Sequence, residues 1–88
     1  MTTYRRTADV EAAPMQGETV LFNPGTSQFC VLNETAAFLW GLLEEPQTEE
    51  QLRERLCRAF DGVEPAAAEK DVREVLEQFA ALGVAVPV

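Results

Sequence analysis

The sequence predicts a single α+β domain over residues 1–88, a small three-stranded antiparallel sheet followed by a three-helix bundle. Three observations predict it. Eighty-eight residues, 47% apolar and 25% charged, suffice for one modest core and not for two. The first third of the chain holds short β-rich runs between turn residues. The remainder holds apolar positions at helical spacing between cap and breaker signals. Each element has one apolar face to hide, so helices packed on a sheet follow.

Thr7 to Ala13 is a strand candidate of poor alternation, and Pro14 to Glu18 reads as a turn. Thr19 to Phe22 is β-rich. In Asn23-Pro24-Gly25-Thr26, proline presets φ at the second turn position and glycine tolerates positive φ at the third. Gln28 to Leu32 is the returning strand. Asn33 is placed to cap a helix with Glu34 in its first turn, and Phe38, Leu39, Leu42 and Leu43 share a face. That helix stops near Pro46. Thr48 and Gln51 have the spacing of a capping box, opening a second helix that runs to about Phe60. Leu52, Leu56, Cys57, Ala59 and Phe60 are its apolar positions, and Asp61-Gly62 ends it. Pro65 opens a third helix, whose apolar face is Ala68, Val72, Val75, Leu76, Phe79 and Leu82, with Gly83 as C-cap. The apolar tail from Val84 to Val88 is able to dock as a short strand.

Composition excludes several function classes. Seven Lys+Arg against fifteen Asp+Glu give a charge of −8. Such a chain repels nucleic acid and anionic membranes. The absence of histidine removes Ser-His and Cys-His dyads and imidazole metal sites. Cys30 and Cys57 lie in apolar runs and read as reduced, buried thiols. With no apolar stretch for a signal peptide near the N-terminus and no membrane-spanning run, a cytoplasmic location is expected. Glu44-Glu45 and Glu49-Glu50 read as a solvated acidic loop rather than a catalytic pair. Asn23-Pro24-Gly25 lacks the repeated glycines of a phosphate loop. No catalytic residue, metal or cofactor is expected, and the chain reads as a binding module and not an enzyme.

Three helices and a hairpin are also the parts of a winged-helix DNA binder. Here Arg53, Arg55 and Arg58 are interleaved with Glu49, Glu50 and Glu54, and Lys70 and Arg73 lie among four carboxylates. The summed field opposes phosphate, so an acidic winged-helix regulator is the alternative reading. Protein or peptide binding fits better. Alternation in Gln28 to Leu32 sends Cys30 and Leu32 toward the helices and Phe29 and Val31 the other way. Those two either face solvent or a partner, or pack under the N-terminal segment. At a sheet edge this strand's backbone would be a template for an added strand.

The ordered set Val20-Leu21-Phe22, turn, Gln28-Phe29-Cys30-Val31-Leu32-Asn33-Glu34-Thr35-Ala36 resembles the start of the PqqD family. Phe38-Leu39-Trp40-Gly41-Leu42-Leu43 is similar to that family's first helix, and Thr48-Glu49-Glu50-Gln51-Leu52 to the start of its second. Asp71-Val72, Val75-Leu76, Phe79 and Leu82-Gly83-Val84 resemble its close. The likeness covers roughly residues 17–86. It implies a winged-helix-like fold and a RiPP recognition element, a peptide chaperone that binds the leader of a ribosomally made precursor. A modifying enzyme, either a radical SAM protein or a leader peptidase, is the second partner implied. It places the leader as a strand along Ser27, Gln28, Phe29, Cys30, Val31 and Leu32. Val72, Val75, Leu76 and Phe79 would line the groove, with Lys70 and Arg73 at its rim, though each of the four apolar residues also reads as plain core. The sequence departs from the family in carrying Cys30 where an aromatic is common and Val31 where a polar residue is. The unpaired strand would also permit a homodimer by edge pairing.

Overall fold

The computed structural model describes residues 2–16 and 18–88, so Gly17 of the first expected turn lies outside the described residues. The elements are β1 Thr3–Arg6, β2 Glu11–Met15, β3 Glu18–Asn23, β4 Gln28–Leu32, α1 Glu34–Leu42, β5 Gln47–Thr48, α2 Glu49–Ala59, α3 Pro65–Leu82 and β6 Ala85–Pro87. The α+β class holds, with an antiparallel sheet β2-β3-β4 preceding three helices. A second three-stranded sheet, β5-β1-β6, joins the chain's beginning to its end.

The expected strand Thr7–Ala13 keeps only Glu11 to Ala13, which belong to β2; Thr7 to Val10 form the connection between β1 and β2. Asp9 divides them with φ 70°, a left-handed conformation that Asp tolerates better than most residues. Pro14 and Met15, expected in a turn, belong to β2 and pair with Thr19 and Glu18. The β3–β4 hairpin closes over Pro24 to Ser27, with Asn23 opposite Gln28. Gly25 does not take the positive φ expected of it; Ser27 does, at 57°. Asn23 Oδ1 instead accepts the Gly25 N–H at 2.9 Å. A Cβ on Gly25 would come within 3.2 Å of that oxygen, so glycine serves close approach here.

The caps follow the sequence. Asn33 Oδ1 accepts from the Ala36 N–H at 2.8 Å, and Thr48 and Gln51 form the reciprocal box. Gly83 ends α3 at φ 69°. Glu64 makes no side-chain cap, and Pro65 occupies the first turn.

The core gathers Leu21 and Leu32 from the sheet, Ala36, Leu39 and Trp40 from α1, Leu43 just after it, Leu52 and Leu56 from α2, and Ala68, Val72, Leu76 and Phe79 from α3, with Val84 and Ala85 behind. The α1 face is therefore turned from the expected one: Trp40 is inside, while Phe38 and Leu42 are half-buried. Trp40 satisfies its indole by donating Nε1–H to the Val84 carbonyl at 3.1 Å, and the Arg6 guanidinium lies 4.8 Å over its ring. In α2, Leu52 and Leu56 are core, Cys57 and Phe60 are half-buried, and Ala59 is exposed.

Candidate functional site

The sheet β2-β3-β4 ends in two outer strands that differ in chemistry. On β2 all five residues are exposed, Pro14 lacks an N–H, Glu11 adds charge, and Gln16 leaves the strand at φ 46°. Each of these features discourages another strand from pairing there. Gln28 to Leu32 of β4 contains no proline and no charge. Among the described residues, no strand pairs with its outer edge. Its N–H and C=O groups form the sheet's undefended template.

Strand alternation sets the side chains of β4. Phe29 and Val31 point away from the core, 70% and 60% exposed. They do not pack under the N-terminal segment, because β2 lies flat in the sheet beside β3. Leu32 is buried. Cys30 and Cys57 are free thiols, half-buried rather than fully buried as expected. Burial pushes the Cys30 thiol up from its ordinary pKa, the opposite of what an activated nucleophile needs. Ser27 and Gln28 are exposed at the strand's start.

One buried side chain fixes where α3 stands relative to this hairpin. Asn23 Nδ2 donates to the carbonyls of Leu82 and Gly83, at 3.4 and 3.1 Å. Asn23 also faces Gln28, so β4 begins at the C-terminal end of α3. A Cβ on Gly83 would approach Asn23 Nδ2 to 3.2 Å, so the latch needs glycine on the helix side too. Read as a turn residue, Asn23 gave no sign of this role.

The residues expected on α3 divide. Val72 and Phe79 are fully enclosed and Leu76 is 7% exposed, so these three are core and offer a ligand little surface. Val75 is half-buried. So is Leu82, one step along the same flank at i+7, which the sequence reading assigned only to the core. Arg73 lies on the opposite flank, donating to Glu49 of α2 at 3.4 Å and to Glu69 at 3.2 Å. Arg53 meets Glu69 at 3.7 Å on that side. Arg73 thus faces α2 and does not rim a groove beside Val75. Lys70 is exposed. The flank carrying Val75 and Leu82 is the one α2 leaves open, and the Asn23 latch holds the start of β4 at its C-terminal end.

A hollow of about 810 Å³ lies elsewhere, between β1, the segment after it, Trp40 and Val86. None of the expected site residues lines it, and its Arg6 is held by Trp40 and by Glu44 at 3.8 Å. Among the described residues no group of His, Cys, Asp and Glu converges to hold a metal ion, and no helix is long and apolar enough to cross a membrane.

The family model for coenzyme PQQ synthesis protein D (PqqD) matches residues 18–85. Two solved structures superpose on nearly the whole chain. One is described as TbiB1 in complex with the TbiA(beta) leader peptide; it is 25% identical, with a TM-score of 0.79 over 92% of this chain and 93% of that one. The other is lasso peptide synthetase B1 complexed with the leader peptide; it is 23% identical, with a TM-score of 0.78 over 96% of this chain and 98% of that one. No curated protein matches the chain.

Proposed function

The chain belongs to the PqqD family, and from that premise we propose that it binds the leader segment of a ribosomally made precursor peptide as an added strand on β4. The observation that carries this reading is the undefended β4 edge, whose start Asn23 ties to the C-terminal end of α3, the helix that carries the half-buried Val75 and Leu82. The TbiB1 relative, described in complex with a leader peptide, supports the ligand class. Main-chain pairing along Ser27 to Leu32 supplies affinity without regard to sequence. Alternate leader side chains turn toward Cys30, Val75 and Leu82 and supply selectivity. Cys30, smaller than an aromatic, leaves room there for a large leader side chain.

A leader that is disordered when free loses chain entropy on pairing, so apolar anchors are required. Each aliphatic anchor contributes about 1.5–3 kcal/mol when fully buried. In this reading the chain acts without chemistry of its own and hands the held peptide to a modifying enzyme, a radical SAM maturase or a leader peptidase, in the cytosol.

The test is a heteronuclear NMR titration with the leader half of the precursor encoded beside this chain. Shifts confined to Ser27–Leu32 and to the Val75 and Leu82 flank are expected. Shifts centred on the hollow lined by Arg6, Val10 and Val86, or none at about 100 μM protein, a concentration that detects weak peptide binding, would overturn the reading.

A further inference from the structure

The outward face of the sheet β2-β3-β4 is a second surface, separate from the β4 edge. Register places Ala13 and Met15 of β2, Val20 and Phe22 of β3, and Phe29 and Val31 of β4 on it. None of the six packs on the core. Met15 is 59% exposed, and Phe29 and Val31 are more so. Phe22 and Phe29 pair across the strands with ring centroids 4.7 Å apart. They floor a hollow of about 550 Å³ whose wall includes Ala13, Val20 and the side of Glu11. A contiguous apolar patch of this kind on a charged domain marks a contact surface.

Charge identifies the occupant. The same register puts Glu11 opposite Phe22 and Glu18 opposite Met15, so the patch has a carboxylate at each of two corners. No lysine or arginine occurs anywhere between Arg6 and Arg53, so no cation of these three strands offsets them. A second copy docked here about a two-fold axis would set this face against itself, acid to acid, in a chain of net charge −8. Anionic lipid and nucleic acid meet the same repulsion.

We infer that this face docks a partner protein whose contact patch is apolar and rimmed by lysine or arginine. Phe22 and Phe29 supply the aromatic anchors, and Glu11 and Glu18 select the cationic rim and set its orientation. The inference does not rest on leader binding, because the edge uses the main chain of β4 and the face uses side chains.

The experiment titrates the full chain with a short synthetic peptide alternating lysine with phenylalanine, and with its glutamate counterpart. The lysine peptide is expected to shift Val20, Phe22, Phe29 and Val31, with the glutamate peptide at least about tenfold weaker at low salt. Combining Glu11→Lys with Glu18→Lys is expected to reverse that preference. Phe29→Ser, at an exposed position, is expected to remove binding while leaving the fold intact; Val31→Ser checks the same point independently. Val75→Glu, which acts on the other surface, is expected to leave it unchanged. Equal binding of the two peptides, shifts away from this face, or no shift at about 1 mM peptide, where the weakest specific contacts register, would overturn the inference. So would a dimer in sedimentation that Phe29→Ser dissolves, since the occupant would then be a second copy.

Discussion

The two outer strands of one sheet were built to opposite ends. β2 carries Pro14, which cannot donate, and Glu11, which repels an incoming acidic strand. β4 has neither, and it starts against the C-terminal end of α3, with the half-buried Val75 and Leu82 on that helix's open flank. The difference teaches that an edge is opened to pairing through what is left out as much as through what is present. A protected edge resists pairing with another strand, and an unprotected one needs apolar neighbours to make pairing selective.

The comparison breaks first at the helix flank. Val75→Glu sets a charge where a leader side chain would be desolvated, and calorimetry is expected to show leader affinity falling about hundredfold. Met15→Glu beside the β2 edge is expected to leave it unchanged. A loss from Met15→Glu equal to that from Val75→Glu would erase the distinction between the edges.

Next comes the latch. Asn23→Ala removes the bonds to the Leu82 and Gly83 carbonyls; Gly83 keeps the Thr7 hydroxyl as a donor, and Leu82 loses its side-chain donor. Urea unfolding is expected to report a loss of about 1–3 kcal/mol. Leader affinity is expected to fall with it, because β4 is no longer held against α3.

A smaller effect separates the two sides of β4 itself. Neighbouring amides in a strand point to opposite edges, so Phe29→Pro and Cys30→Pro delete N–H groups on different sides. One is expected to weaken the β3–β4 pairing, read as a lower Tm. The other is expected to spare Tm and weaken leader binding about tenfold, since one hydrogen bond and one close approach are lost.

The smallest effect is on β2. Pro14→Thr restores a donor to the guarded edge. Sedimentation at high concentration is expected to reveal weak self-association absent from the parent chain.

Much of this was legible in the sequence wherever neighbours along the chain decide the outcome. The Thr48–Gln51 box, the Asn33 cap, the Gly83 stop and the outward setting of Phe29 and Val31 all depend on residues within a turn or a strand of one another. What depended on distant partners was not legible. β1 exists because β6 and β5 flank it, some eighty and forty positions away, and TYRR alone has too little pattern to announce a strand. Trp40 went unassigned because its indole partner is the carbonyl of Val84. The apolar stripe of α3 was read correctly as a stripe. Periodicity could not say that Val72, Leu76 and Phe79 lie at its buried centre while Val75 and Leu82 lie on the flank α2 leaves open; the Arg73–Glu49 contact decides that.

The most direct test is amide hydrogen exchange of the two edges, with and without the leader peptide. Alternate amides of Gln28 to Leu32, those pointing outward from the sheet, are predicted to gain protection on binding. Those of Glu11 to Met15 are predicted to keep their rates. Protection appearing on β2, or on neither edge while the peptide is bound, would contradict strand addition at β4.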